Sequence, residues 1–138
     1  MVIYTEKVQV PGASVHDIYE KARSFVYKGI GIYMVQFWGD PAANTIHAKC
    51  GFRRKDWDQS DVNAGLLLQF DLMVACHDGY YEYTFTNFTD WPDWGPWKVE
   101  EEAGMSNKEK KAIRRDLKFN KWVDKQIRDN IDQLKQSM

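Results

Sequence analysis

The chain is poor in the features that announce a chemistry. Its 138 residues include two cysteines, three histidines and four prolines. Cys50 and Cys76 fall on strands expected to be neighbours but lie several residues out of register. A disulfide needs Cα atoms within about 7 Å, so both read as small buried apolar residues. His16, His47 and His77 belong to three different elements, and no His/Cys/Asp spacing matches a zinc site. Gly29-Ile30-Gly31 follows a helix and lacks the rest of a phosphate-loop spacing. No stretch approaches the ~20 apolar residues that a membrane-spanning helix requires. Charge of one sign is lacking too. The 19 basic and 20 acidic residues leave a net charge of −1, which gives no whole-chain attraction to nucleic acid or to an anionic membrane. No metal, cofactor or catalytic group is expected.

The N-terminal stretch from Met1 to Lys7 has no basic segment followed by an apolar core, so it does not read as a signal peptide. A cytoplasmic protein and a mature fragment carrying an added Met both fit that start. No linker or internal repeat divides the chain, and residues 1–138 read as one domain.

What is present is alternation. Leu66 to Phe88 consists of two alternating runs meeting at Asp78-Gly79, a strong hairpin signal in which both turn residues are expected at positive φ. Folding about that dipeptide sets Cys76 opposite Tyr81, Val74 opposite Tyr83 and Leu72 opposite Phe85. A second hairpin joins Ile32–Trp38 to Thr45–Arg53 through residues 39–44. It is expected to pair Phe37 with Ile46, Val35 with Ala48 and Tyr33 with Cys50, because a one-residue slip would set them against His47 and Lys49. Val2 to Val10 alternates loosely, with Tyr4, Glu6, Val8 and Val10 on one side, and Pro11-Gly12 stops it.

Two segments carry helical periodicity. Ser14 caps a stripe of Val15, Ile18, Tyr19, Ala22, Phe25 and Val26, with Asp17 in the first turn and Gly29 and Gly31 at the end. Ser106 and Glu109 form a capping box before a long helix to about Lys135, striped by Ile113, Leu117, Trp122, Val123, Ile127, Ile131 and Leu134. The order β-α-β-β-β-β-α predicts a two-layer α+β domain, an antiparallel sheet with both helices packed on one face.

The Val8–Ser14 segment VQVPGAS, the helix HDIYEKARSFV, the turn at Asp40, the strand TIHAKCGF and the strand YYEYTFTNF before a closing helix resemble a bacterial family. It is a domain of unknown function with a TATA-binding-protein-like fold, common in Bacteroidetes-type bacteria. The resemblance spans nearly the whole chain and implies that fold. Members are often exported to the cell envelope, and the family supplies no catalytic residues. In the TATA-binding protein itself the open sheet face grips DNA. The basic surplus and intercalating phenylalanines that such binding needs are absent here.

Several clusters invite a functional reading. Cys76-His77-Asp78 imitates a triad, but neighbours on a strand point to opposite faces, so turn chemistry is expected. Asn87-Phe88-Thr89 fits a glycosylation sequon without other support. Lys108, Lys110, Lys111, Arg114, Arg115, Lys118 and Lys121 form a basic run beside Glu100–Glu102 and read as a solvated helix face. Trp91, Trp94 and Trp97, in an irregular segment, either close the core edge or stack on a ligand. The open sheet face carries Met34, Trp38, Leu67 and Met73, more apolar than a solvated face requires, and is the expected interaction surface. The leading expectation is a non-enzymatic interaction domain, with a protein partner or a second copy of itself. The alternative is a carrier of a small apolar ligand or lipid, its cavity lined by Tyr81, Tyr83, Phe85 and Trp122.

Overall fold

A computed structural model describes residues 3–28, 33–53, 66–89 and 107–138. The side chains of Tyr33, Val35, Leu66, Leu67, Thr89 and residues 107–117 lie outside the description. So do Trp91, Trp94, Trp97 and the Ser106 cap. The elements run β1 (Tyr4–Gln9), α1 (Val15–Lys28), β2 (Tyr33–Asp40), β3 (Thr45–Arg53), β4 (Leu66–His77), β5 (Tyr80–Thr89) and α2 (Asn107–Ser137). The five strands form one antiparallel sheet in the order β1-β5-β4-β3-β2. This is the expected two-layer α+β arrangement.

The helices cover one face. From α1 come Ile18, Tyr19, Ala22, Phe25 and Val26, and from α2 come Phe119, Val123, Ile127, Ile131 and Leu134, all buried in a single cluster with the sheet. The sheet supplies the alternating residues that the sequence marks, including Ile46, Phe52, Leu68, Phe70, Val74, Tyr81 and Phe85. Phe119 joins the α2 stripe one turn before Val123, a position that the sequence pattern does not single out.

The β4–β5 hairpin has the expected register, with Leu72 opposite Phe85, Val74 opposite Tyr83 and Cys76 opposite Tyr81. Its turn differs. Gly79 has φ of 80°, while Asp78 is not among the residues at positive φ. The reason lies in what the turn touches. Asp78 Oδ1 accepts the Val15 N–H at 2.8 Å, Gly79 donates its N–H to the Ala13 carbonyl at 2.9 Å, and Val10 donates to the Gly79 carbonyl at 2.8 Å. The hairpin tip is thus sewn to the β1–α1 loop. Helix α1 receives two caps, one from Asp78 and one from Ser14 Oγ, which accepts the Asp17 N–H at 3.1 Å.

The β2–β3 register departs from expectation. Gly39 pairs with Ile46 and Phe37 with Ala48, a shift of two residues, because β2 continues through Asp40. The turn shortens to residues 41–44, closed by Asn44 at φ 54° and by the Asp40 carboxylate accepting the Ala43 N–H at 3.2 Å. A shift of two keeps Phe37 on the core face. Between Met34 and Gln36 the register slips by one, so Met34 sits opposite Cys50 and Tyr33 opposite Gly51. The extra residue reverses which face the strand presents.

A second bulge lies in β5, where Asp71 pairs with Thr86 but Gln69 with Thr89. Asn87, at φ 55°, takes the left-handed conformation and donates from Nδ2 to Asp71 Oδ2 at 2.8 Å. The extra residue carries Phe88 onto the core side, stacked on Phe70 at 5.3 Å and edge-on to Tyr4 at 6.0 Å.

Polar side chains fasten α2 to edge strand β1. Tyr4 donates its hydroxyl to Asp124, which also pairs with Arg128 at 2.9 Å. Glu6 accepts from the Tyr83 hydroxyl at 2.7 Å and from Lys135 Nζ at 2.8 Å.

Candidate functional site

The face opposite the helices is built in rows by the strand registers. One row runs Trp38, His47, Met73, Thr84, Thr5 from edge to edge. Beside it, Asp40, Thr45, Ala75, Glu82 and Lys7 form a second. A third contains Gln36, Lys49, Asp71 and Thr86. The order follows from strand alternation, which puts every second side chain on this side.

The first row is the most apolar. Trp38 is 41% exposed. Its ring lies parallel to His47, with centroids 5.1 Å apart and planes 7° apart. His47 Nε2 is 3.1 Å from Thr45 Oγ1, and the Thr5 and Thr84 hydroxyls are 3.2 Å apart. Met73 is half-buried between His47 and Thr84. Opposite charges stand as cross-strand neighbours: Lys49 faces Asp71 and Lys7 faces Glu82.

The expected surface residues are only partly brought together. Trp38 and Met73 share a row, with His47 between them. Met34 does not belong with them. The β2 bulge sets it opposite Cys50, and it packs, half-buried, against the core. Leu67 belongs to β4, but its side chain lies outside the described residues. The same holds for Trp91, Trp94 and Trp97.

The triad-like triplet disperses. Cys76 is buried among core residues, His77 stacks on Tyr80 at 4.5 Å on the other face, and Asp78 caps α1. Burial pushes the Cys76 thiol up to about 11 and the Cys50 thiol up to about 12, the latter with help from Asp71. Neither is a thiolate near neutrality. Among the described residues no cluster of three or more His, Cys, Asp or Glu could hold a metal ion. No helix among them is long and apolar enough to cross a membrane.

The side chains expected to wall an apolar cavity under α2 are core residues. Tyr81 and Phe85 have no exposed surface and Tyr83 has 4%. Trp122 is half-buried, edge-on to Phe52 at 5.3 Å and stacked on Phe119 at 6.2 Å. An open cleft of about 550 Å³ lies elsewhere, between α1 and the β2–β3 hairpin.

No protein-family model matches the chain, and no curated protein matches its sequence. Solved structures do match in shape. A TBP-like protein from Parabacteroides distasonis ATCC 8503 aligns over 97% of this chain and 92% of its own, at 15% identity and a TM-score of 0.54. A DUF4468 family protein from Bacteroides ovatus ATCC 8483 aligns over 94% of this chain and 85% of its own, at 18% identity and a TM-score of 0.44. The first of these likenesses, with the strand order and the paired helices on one face, makes the fold TBP-like.

Proposed function

We propose that this chain is a non-enzymatic interaction module that pairs with a second copy of itself through the open sheet face. The observation that carries the reading is the row Trp38–His47–Met73, an apolar and aromatic ridge on a face opposite both helices. One feature favours a like partner, and a second disfavours a nucleic acid. The ridge is flanked by Lys49 beside Asp71 and by Lys7 beside Glu82, so the face carries both signs and can complement a rotated copy. The net charge of −1 gives no field suited to a polyanion, which argues against the nucleic-acid use of this fold.

The alternative, a carrier for an apolar molecule under α2, has less support. Tyr81, Tyr83 and Phe85 contact the core and leave almost no accessible surface for a ligand.

Light scattering on the eluting protein at about 100 μM tests the pairing. A stable interface buries on the order of 1,000 Å² or more. The wild type is expected at twice its 16.2 kDa chain mass, and Met73→Lys at the single mass with an unchanged far-ultraviolet spectrum. A wild type at single mass, or a Met73→Lys variant still at double mass, overturns the reading.

A further inference from the structure

The cleft between α1 and the β2–β3 hairpin has the composition of a ligand site. It holds about 550 Å³, within the range of roughly 300–1,000 Å³ typical of small-molecule sites. One wall is α1, contributing Tyr19, Glu20 and Arg23. The other is the hairpin, contributing Phe37, Trp38 and Asn44.

Three of these side chains are chemically unspent. Tyr19 is 6% exposed and lies so close over Gly39 that a Cβ there would collide with its hydroxyl. Among the described residues that hydroxyl has no hydrogen-bond partner. The hydroxyl is not among the fully buried atoms left without a partner, so it opens to the cleft that Tyr19 lines. Glu20 and Arg23 stand one helical turn apart, a spacing that commonly forms an ion pair. They form none, and neither has another partner among the described residues. A carboxylate and a guanidinium therefore border the same cleft unneutralised, beside a hydroxyl able to donate or accept.

We propose that this cleft binds an aromatic α-amino acid as its zwitterion. Arg23 takes the carboxylate through its paired N–H groups, with the Tyr19 hydroxyl as a further donor. Glu20 takes the ammonium group. Phe37, on the helix side of β2, supplies the apolar wall for the ring. A simple anion would be repelled by Glu20 and a simple cation by Arg23, so the pair selects a molecule bearing both charges. The cleft borders Trp38 of the open-face ridge but does not depend on the pairing of those faces.

The test is a nuclear magnetic resonance titration of the full chain with L-phenylalanine, N-acetyl-L-phenylalanine and phenethylamine. L-Phenylalanine is expected to shift the Gly39 and Asn44 amides with a dissociation constant on the order of 1 mM, as an open site for about a dozen heavy atoms allows. Each analogue lacks one charge and is expected to bind about tenfold more weakly. Arg23→Gln and Glu20→Gln are expected to weaken L-phenylalanine by about tenfold each. Both residues are exposed, so the remaining spectrum should be unchanged. The proposal is overturned if none of the three shifts Gly39 or Asn44 at about ten times that concentration. It also fails if the three bind alike, or if both variants bind as the wild type does.

Discussion

Tyr81 lies on β5, between β1 and β4, with no exposed surface, and among the described residues its hydroxyl has no hydrogen-bond partner. Burial, then Glu6, pushes its phenol up to about 12. An unpaired buried hydroxyl loses the solvation it had in the unfolded chain. Tyr81→Phe is therefore expected to be neutral or to stabilise the protein by up to about 1 kcal/mol, read from the urea midpoint. A loss of 1 kcal/mol or more would mean that the hydroxyl has a partner, such as a buried water. Tyr83 makes the contrast. Its hydroxyl is held by Glu6, and burial followed by that bond raises its pKa. Two tyrosines on one strand face, two positions apart, thus meet different fates according to what β1 and α2 set beside them.

At the scale of the elements, the join between the β4–β5 turn and the entry to α1 is the point where local signals become tertiary structure. Asp78-Gly79 reads as a turn and Pro11-Gly12-Ala13-Ser14 as a strand stop and helix cap. Their mutual docking through Asp78 Oδ1, Gly79 and Val10 is not visible in either segment alone. Asp78→Ala is expected to cost about 1 kcal/mol, the usual loss of a helix cap, and to speed amide exchange at Val15. Asp78→Asn, which keeps an acceptor, is expected to retain most of that stability. An alanine variant as stable as the wild type would show that Ser14 alone suffices.

The same scale explains what the sequence could and could not reveal. Alternation marked the core face correctly at Ile46, Ala48, Phe70, Val74 and Phe85, because parity survives any even shift of register. It failed at Met34, beside a bulge where one added residue reverses parity, and it left Phe88, beside the second bulge, unassigned. Asn87 does carry a signal in hindsight, since Asn is among the few residues that enter the left-handed region readily. The α1–hairpin cleft was hidden for a different reason. Glu20 and Arg23 look like any solvated helix face, and only the placement of β2 gives them a facing wall.

At the scale of the whole molecule, charge and hydroxyl contacts at the β1–α2 seam make stability depend on pH from both sides. The Glu6 carboxyl is held below its ordinary value, first by Lys135 and then by Tyr83. Its contribution is therefore present above the unfolded carboxylate pKa and is lost as pH falls through the lowered folded value. The pair is half-exposed, so Glu6→Gln is expected to cost under about 1 kcal/mol at pH 7 and nothing near pH 2. Equal costs at both pH values would contradict this linkage. In the alkaline direction the sign reverses. Tyr4, Tyr81 and Tyr83 are raised above the phenol's ordinary value, mainly by burial. Their contribution is full below pH ~10 and is lost as pH climbs toward the folded values. Absorbance near 295 nm is expected to show these three ionising late and together with unfolding.

The sheet order has one more consequence, and it concerns time. Strand β1 is made before the other described strands, yet among them its sheet neighbour is β5, with Glu6 and Tyr83 separated by 77 positions. At roughly 5–20 residues per second, β1 waits about 4–15 s for that neighbour to be synthesised. The strands from β3 to β5 need no such wait, since each pairs with the strand made just before it. During synthesis β1 is an unpaired strand exposed to its own kind, and its Glu6 and Lys7 are the charges that discourage such pairing. Glu6, which fastens Tyr83 and Lys135 in the finished protein, thus also guards the chain before either of them exists.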